Sequence, residues 1–233
     1  MLRILTTVLR WLAVVLILRV LAVILANYPD YFPPNFNSLF LQGREATFNG
    51  AYRAAFYVHI LSAPIVLCNG LIQLSETVRR RHGGLHRWLG RVQVVVLLLF
   101  VLPSSVVMSG RAFGGWPAGL SFLLLSLATA SCAIVGVVHA RRRHFDQHRR
   151  WMLRCYVLIC SAVALRLISG MAGLVGVASP EHAYLFASWS SWLFPLAAYE
   201  FVERLAAHRP SRSSNSDSRC ALYENIAEPK FGE

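Results

Sequence analysis

Four histidines are spaced so that each falls on a different long apolar segment of the chain: His59, His86, His139 and His148. Two imidazoles on facing helices can ligate a haem iron axially. His86 and His148 occupy matching places in two similar basic segments, so they form the predicted ligand pair, with His139 as a substitute. This pattern predicts b-type haem and electron transfer within a membrane, which requires a redox partner.

A second haem would need a partner for His59 at the other membrane face. The fourth apolar segment offers Ser121 at that level, and only His182 is placed to replace it. The sequence therefore favours one haem over two. The alternative interpretation is that the histidines are interfacial or hydrogen-bonding groups, because His86 and His148 stand at helix starts among arginines.

The same region supports a second hypothesis, which is an anion site. Two apolar helices begin there, and their free amides and dipoles favour negative charge. Arg87, Arg91, Arg149, Arg150 and Arg154 add positive charge. The predicted ligand is an anionic lipid or metabolite that is bound or transported. A third hypothesis is a non-catalytic scaffold whose arginines contact acidic lipids.

These residues lie in two related segments, Arg79–Arg91 and Arg141–Arg154. Both read Arg-Arg-Arg-His, three further residues, His-Arg, and then Trp with another Arg. Each segment stands between two long apolar runs. The sequence therefore predicts two similar basic hairpins on one face of a membrane.

Composition supports that setting. Of 233 residues, 56% are hydrophobic and only 15% are charged, against about 25% charged in soluble domains. The net charge is +12, but 22 of the 23 basic residues are arginines gathered in short loops beside apolar runs. That distribution is typical of membrane orientation and not of nucleic-acid binding. Membrane lipids are the predicted partners, and the oligomeric state stays open.

The apolar pattern predicts an all-α integral membrane bundle, in the plasma membrane, with both termini cytoplasmic by the positive-inside rule. The first span is expected to be retained and not cleaved as a signal. Residues 1–205 are predicted to form one transmembrane domain, and residues 206–233 a disordered cytoplasmic tail. The six predicted spans are residues 4–26, 54–75, 89–109, 118–139, 151–174 and 183–205.

Helical periodicity predicts which faces point into the bundle, because polar groups facing lipid would lack partners. The intramembrane polar residues singled out on this basis are Asn69, Gln73, Gln93, Arg166 and Glu200. His59 and Arg166 fall near the outer face, whereas the other predicted site residues fall near the cytoplasmic face.

Several short stretches carry resemblances to known families. Gly70–Gln73, Leu85–Arg91, His148–Arg154 and Ala164–Arg166 resemble the predicted multipass membrane proteins called domain of unknown function 2306. That resemblance implies a membrane fold and no particular activity. The histidines on four central spans resemble, in part, cytochrome b561-type proteins, which hold two haems. No nucleophile elbow, phosphate loop or zinc spacing is present, so the sequence assigns no reaction.

Overall fold

The computed structural model describes residues 2–38, 41–42, 44–175 and 179–207. Within these ranges the chain is helical and forms no β-strand. The helices are α1 (Leu2–Ala26), a 3₁₀ turn (Tyr28–Tyr31), α2 (Gly50–Gln73), α3 (Glu76–Arg81), α4 (Gly83–Val96), a π-helical turn (Leu97–Val101), α5 (Leu102–Ser109), α6 (Gly115–Arg141), α7 (Phe145–Ile159), α8 (Ser161–Val175) and α9 (Pro180–Ala207).

Five helical segments of the described chain are long and apolar enough to cross a membrane. They are Thr7–Ala26, Gly50–Gln73, Gly83–Ser109, Gly115–Arg141 and Phe145–Val175. The predicted all-α membrane architecture is confirmed, and its exposed apolar faces contact lipid. Helix α9 covers the predicted sixth span, but it is not one of these five segments. It is less apolar because it carries several serines together with Glu200 and Glu203.

Two of the spans are interrupted. The span that begins at Gly83 passes through the π-helical turn directly before Pro103. Proline has no N–H to donate and its ring disturbs the preceding turn, which accounts for the irregularity at this place. The span that begins at Phe145 changes from α7 to α8 at Cys160. Both interruptions border the cavity described below.

The central apolar core joins α2, the π-helical turn, α6, α7 and α9. Its fully or nearly fully buried members include Val66, Leu97, Ala133, Leu158 and Trp192. Burying side chains of this size stabilises a fold by about 1.5–3 kcal/mol each in water, whereas in lipid close packing supplies the attraction.

Helix α1 is peripheral. Only Val20 and Leu21 are buried on it among the side chains described, and they pack against a cluster that includes Tyr156 and Val163. Arg19 lies on this helix and is exposed.

A buried hydrogen-bond chain ties α6 to α9. Ser121 Oγ donates to the Ser188 carbonyl at 2.9 Å and accepts from Trp192 Nε1 at 3.0 Å. This hydroxyl therefore donates its one hydrogen and accepts one hydrogen bond within the protein. Ser121 is fully buried and is a structural link between the two helices.

The chain divides into two units, Met1–Ala197 and Ala198–Glu233. The second unit is described only to Ala207, where α9 ends. Glu200 lies in that unit and is half-buried. The predicted tail lies, from residue 208 onward, outside the described residues.

Candidate functional site

A cavity of about 310 Å³ lies inside the first unit. Its wall is formed by residues from α1, α2, the π-helical turn, α5, α6, α8 and neighbouring segments. On the third span the lining residues run from Leu97 to Ser109, which is about 18 Å at the helical rise. The cavity therefore reaches from one end of the bundle into the apolar core.

The shallow end of the cavity is cationic and aromatic. We call it the arginine–tyrosine end. It is formed by three arginines from three separate parts of the chain and by four tyrosines: Arg44, Arg111, Arg166, Tyr28, Tyr31, Tyr52 and Tyr184. No aspartate or glutamate occurs among the described lining residues. Asp30 and Glu45 belong to the same loop region, but both are exposed and neither lines the cavity.

Two of the arginines hold the loop after α1 against the rest of the bundle. Arg44 Nη1 donates to Tyr52 Oη at 2.8 Å and to the Arg111 carbonyl at 3.1 Å. Arg111 in turn donates to the Thr47 carbonyl and lies 5.5 Å from the centre of the Tyr52 ring. These reciprocal contacts fix both guanidinium groups at the mouth of the cavity.

The third arginine, Arg166, enters from α8. Its Nη1 donates to the Ala162 carbonyl at 2.9 Å. Arg166 lines the cavity and its side chain keeps accessible surface. A guanidinium carries five N–H donors, so this single bond leaves most of them directed elsewhere.

Burial and the charge of Arg166 both affect the pKa values of Tyr28 and Tyr31. Burial raises the pKa of Tyr28, and Tyr31 raises it further, while the positive charge of Arg166 acts in the opposite direction. Burial likewise raises the pKa of Tyr31 against the influence of Arg166. Both phenols are therefore protonated donors at neutral pH. Tyr28 donates to the Ile60 carbonyl, which joins the 3₁₀ turn to α2.

His59 also lines the cavity, beside α5. Its Nδ1 lies 3.3 Å from Ser104 Oγ and 3.2 Å from Ser105 Oγ. Ser104 Oγ directs its hydrogen to the carbonyls of Phe100 and Val101, at 2.6 and 2.9 Å. The ring is thus fixed through one nitrogen. Arg166 is near enough to His59 to interact with it electrostatically.

The opposite end of the bundle holds the segments Arg79–Arg91 and Arg141–Arg154, and we call it the arginine-rich end. There α2 and α4 are joined by amide side chains. Asn69 Nδ2 donates to the Leu89 carbonyl at 2.8 Å, and Gln73 Nε2 donates to the His86 carbonyl at 3.0 Å. The side-chain oxygens of Asn69, Gln73 and Gln93 are buried without a protein partner.

The predicted haem ligands lie at this same end. His148 Nδ1 is 2.8 Å from the Gly136 carbonyl, so it carries the hydrogen and leaves Nε2 as the free lone pair. His86 and His148 are near enough to interact electrostatically. The Nδ1 atoms of His86 and His139 are buried without a protein partner. None of these three histidines lines the cavity.

The predicted anion-binding arginines are mostly on the outside. Arg87, Arg91, Arg149 and Arg150 are exposed. Arg154 is half-buried, with its guanidinium 4.8 Å from the centre of the Trp151 ring. In the neighbouring short helix α3, which Ser75 caps, Glu76 pairs with Arg80 at 2.7 Å and with Arg79 at 3.7 Å.

The structure therefore separates the predicted site residues into two groups. It brings His59 and Arg166 to one cavity, and it brings Asn69, Gln73, Gln93 and the other three histidines to the arginine-rich end. Sequence reasoning missed Arg44, Arg111 and the four tyrosines. For Tyr28, Tyr31 and Arg44 the available signal is the long polar and aromatic loop of residues 27–50, in which all three lie.

The model of one protein family, described as a predicted membrane protein (DUF2306), matches residues 56–202, well over half of the chain. The chain belongs to the DUF2306 family. The predicted resemblance to this family is thereby confirmed, and so is the assignment as an integral membrane protein. The resemblance to cytochrome b561-type proteins is not supported by any of the comparisons. Searches of curated proteins and of solved structures gave no match. The DUF2306 match includes His59 and Arg166, whereas Tyr28, Tyr31 and Arg44 precede it.

Proposed function

We propose that this DUF2306 protein binds an anionic amphiphile in the cavity, with the charged group at the arginine–tyrosine end and the apolar part in the core. The observation that supports this proposal most strongly is that three arginines line the cavity, whereas no carboxylate of the described chain does. Positive charge beside hydrocarbon is costly. A bound anion would lower that cost at Arg166, a lining arginine on the apolar helix α8.

The deep end of the cavity selects for an apolar tail. Its wall includes Val66, Leu67, Leu97 and Leu158, all buried. An ion without a tail would leave this surface uncovered, whereas a hydrocarbon chain would make dispersion contacts along it. The combination of a charged mouth and an apolar floor is typical of sites for amphipathic ligands.

This proposal keeps the anionic lipid or metabolite predicted from the sequence but moves its site. The cavity is lined by Arg166 and not by Arg87 or Arg149. Arginines outside a cavity contact lipid headgroups without a fixed geometry, so they bind acidic lipids with little selectivity.

Native mass spectrometry tests this placement. Wild-type protein incubated with a mixture of membrane lipids is expected to retain one anionic amphiphile per chain. The Arg87→Ala, Arg149→Ala double variant is expected to retain it equally, because neither arginine lines the cavity. Loss of the ligand in the double variant would place the site at the arginine-rich end. Absence of any retained anion from the wild type would refute the proposal.

A second candidate function is haem binding by His86 and His148. Two observations support it: the Gly136 carbonyl orients His148 as backbone carbonyls orient metal-ligating histidines, and His86 has a buried nitrogen without a partner. No cluster of three or more potential ligands occurs in the described chain, but an axial pair requires only two. A bound haem would supply one-electron transfer, and His139 is the substitute ligand.

The visible spectrum tests the haem candidate. Protein purified from haem-supplied cells is expected to show a Soret band that His86→Ala and His148→Ala each abolish or shift. His82→Ala serves as the matched control, because His82 is exposed in the loop before α4. A folded protein without a Soret band would rule the candidate out.

We further propose that α9 is a sixth span, that both termini are cytoplasmic and that the protein resides in the plasma membrane. The arginine count of the two basic segments supports this orientation. In a Cys220→Ser background, Thr47→Cys is expected to react with a membrane-impermeant maleimide in intact cells. Thr77→Cys is expected to react only after permeabilisation. The reverse pattern would invert the topology.

A further inference from the structure

We infer that Tyr184 on α9 binds the headgroup of the ligand together with Arg166, and that this headgroup is an oxyanion, either a carboxylate or a phosphate ester. This inference rests on the proposed function and names the chemical class of the ligand's charged group. It follows from a lining hydroxyl that makes no hydrogen bond in the described chain, from the aromatic contacts that hold its ring, and from the arginines beside it.

The hydroxyl of Tyr184 differs from two others at the arginine–tyrosine end. Tyr28 donates its hydroxyl hydrogen to the Ile60 carbonyl, and the Tyr52 hydroxyl accepts from Arg44. Tyr184 lines the same cavity and is half-buried. Its interactions within the described chain are ring contacts and electrostatic ones, and no hydrogen bond of its hydroxyl is among them. Because a tyrosine hydroxyl that is removed from water usually has a hydrogen-bond partner, Tyr184 has a donor left for a ligand.

The ring of Tyr184 is held by two edge-to-face contacts. Phe113, in the turn before α6, lies with its ring centre 5.3 Å away at an interplanar angle of 82°. Phe122, on α6, lies with its ring centre 6.1 Å away at 61°. Since these contacts restrict the ring before any ligand arrives, little conformational entropy is lost at this side chain when its hydroxyl binds.

Two arginines surround this hydroxyl with positive charge. Arg44 and Arg166 are both near enough to Tyr184 to interact with it electrostatically. Arg166 donates to the Ala162 carbonyl through Nη1, and a guanidinium carries five N–H donors. An anion that binds to the remaining donors of Arg166 therefore also lies near the Tyr184 hydroxyl.

The arrangement of the two donors selects the kind of headgroup. Arg166 projects from α8 and Tyr184 from α9, so the headgroup must accept hydrogen bonds from two directions. A carboxylate has two oxygens with about four lone-pair sites, and a phosphate ester likewise has several strong acceptor oxygens. A hydrogen bond to an ionised oxygen is about twice as strong as one between neutral groups. Tyr184 therefore favours an oxyanion over an uncharged headgroup.

Probes that share one chain test the inference on full-length protein in detergent. Oleate carries a carboxylate, oleoyl lysophosphatidylglycerol carries a phosphate diester, and mono-oleoylglycerol carries no charge. Tyr184→Phe removes only the hydroxyl and keeps the ring that contacts Phe113 and Phe122. Tyr57→Phe is the matched control, because the Tyr57 hydroxyl donates to the Tyr31 carbonyl at 2.9 Å and Tyr57 does not line the cavity. Dissociation constants are measured by native mass spectrometry.

Wild-type protein is expected to bind at least one of the two oxyanions more tightly than mono-oleoylglycerol, and the tighter of the two identifies the headgroup as carboxylate or phosphate. Tyr184→Phe is expected to weaken the binding of that oxyanion by about 10-fold, which corresponds to the loss of one hydrogen bond to a charged group. The same variant is expected to bind mono-oleoylglycerol and to unfold on heating like the wild type. Tyr57→Phe is expected to bind the oxyanion with wild-type affinity.

Unchanged oxyanion affinity in Tyr184→Phe would overturn the inference and leave the proposed function intact. An equal loss of affinity for mono-oleoylglycerol would assign Tyr184 a structural role and would overturn the inference as well. Failure of both oxyanions to bind the wild type would refute the proposed function itself.

Discussion

Replacing Arg166 with glutamine is expected to weaken binding of the anionic ligand by about 10- to 100-fold. A hydrogen bond to a charged group contributes about 1.5–3 kcal/mol, and about 1.4 kcal/mol corresponds to a factor of ten. Arg166 is the lining arginine that approaches His59, Tyr28 and Tyr31 together. Glutamine keeps a polar side chain but is shorter and uncharged, so the variant removes both the positive charge and the guanidinium donors.

Arg19 supplies the control, because it is also an exposed arginine in an apolar helix, yet it does not line the cavity. Arg19→Gln is expected to bind like the wild type. Dissociation constants for the two variants are measured on protein whose helicity and monodispersity match the wild type. Equal affinities of Arg166→Gln and wild type would remove Arg166 from the site.

Replacing Gly119 with alanine is expected to destabilise the fold by about 1–3 kcal/mol, as overpacking of a well-packed site does. Gly119 is buried on α6, and a Cβ there would overlap the Ser109 carbonyl oxygen at the end of α5. The obstacle is backbone, so it cannot move aside as a flexible side chain would. Separation of α5 from α6 would also displace Arg111 and widen the mouth of the cavity.

Gly170→Ala is the matched control for this effect. Gly170 lies within α8 and has open space where a Cβ would be built. Because alanine favours the helix over glycine by about 0.5–1 kcal/mol, this variant is expected to be neutral or slightly stabilised. Both variants are compared by unfolding in mixed micelles. Equal stabilities would show that α5 and α6 do not approach as closely as the structure indicates.

The spans were predictable from sequence because hydropathy and arginine clustering are local properties. Residues 54–75 and 118–139 were predicted as spans within a few residues of α2 and α6. The inward faces that carry His59 and Ser104 were also predictable, since helical periodicity fixes which residues share a stripe. The contact between His59 and Ser104 was not predictable, because it depends on how α2 and α5 cross.

The cavity itself had no local signal. Arg44, Arg111 and Arg166 come from a loop, a turn and a helix, and each alone is compatible with an interfacial position. The number of arginines instead favours an anion site at the two basic segments, where the charge density is high but most side chains are exposed. Within the described chain, no carboxylate lines this cavity. That property depends on how the helices pack, which the spacing of residues along the sequence does not encode.

Photoaffinity labelling tests the central claim most directly. The probe is a fatty acid whose chain carries a diazirine near its end, and the labelled residues are identified by mass spectrometry. Labelling is predicted at the apolar end of the cavity, at Val66, Leu67, Leu97 or Leu158, and is predicted to be lost in Arg166→Gln. Labelling beside Arg87 and Arg149, or spread over the exposed lipid-facing side chains and unchanged in Arg166→Gln, would contradict the account.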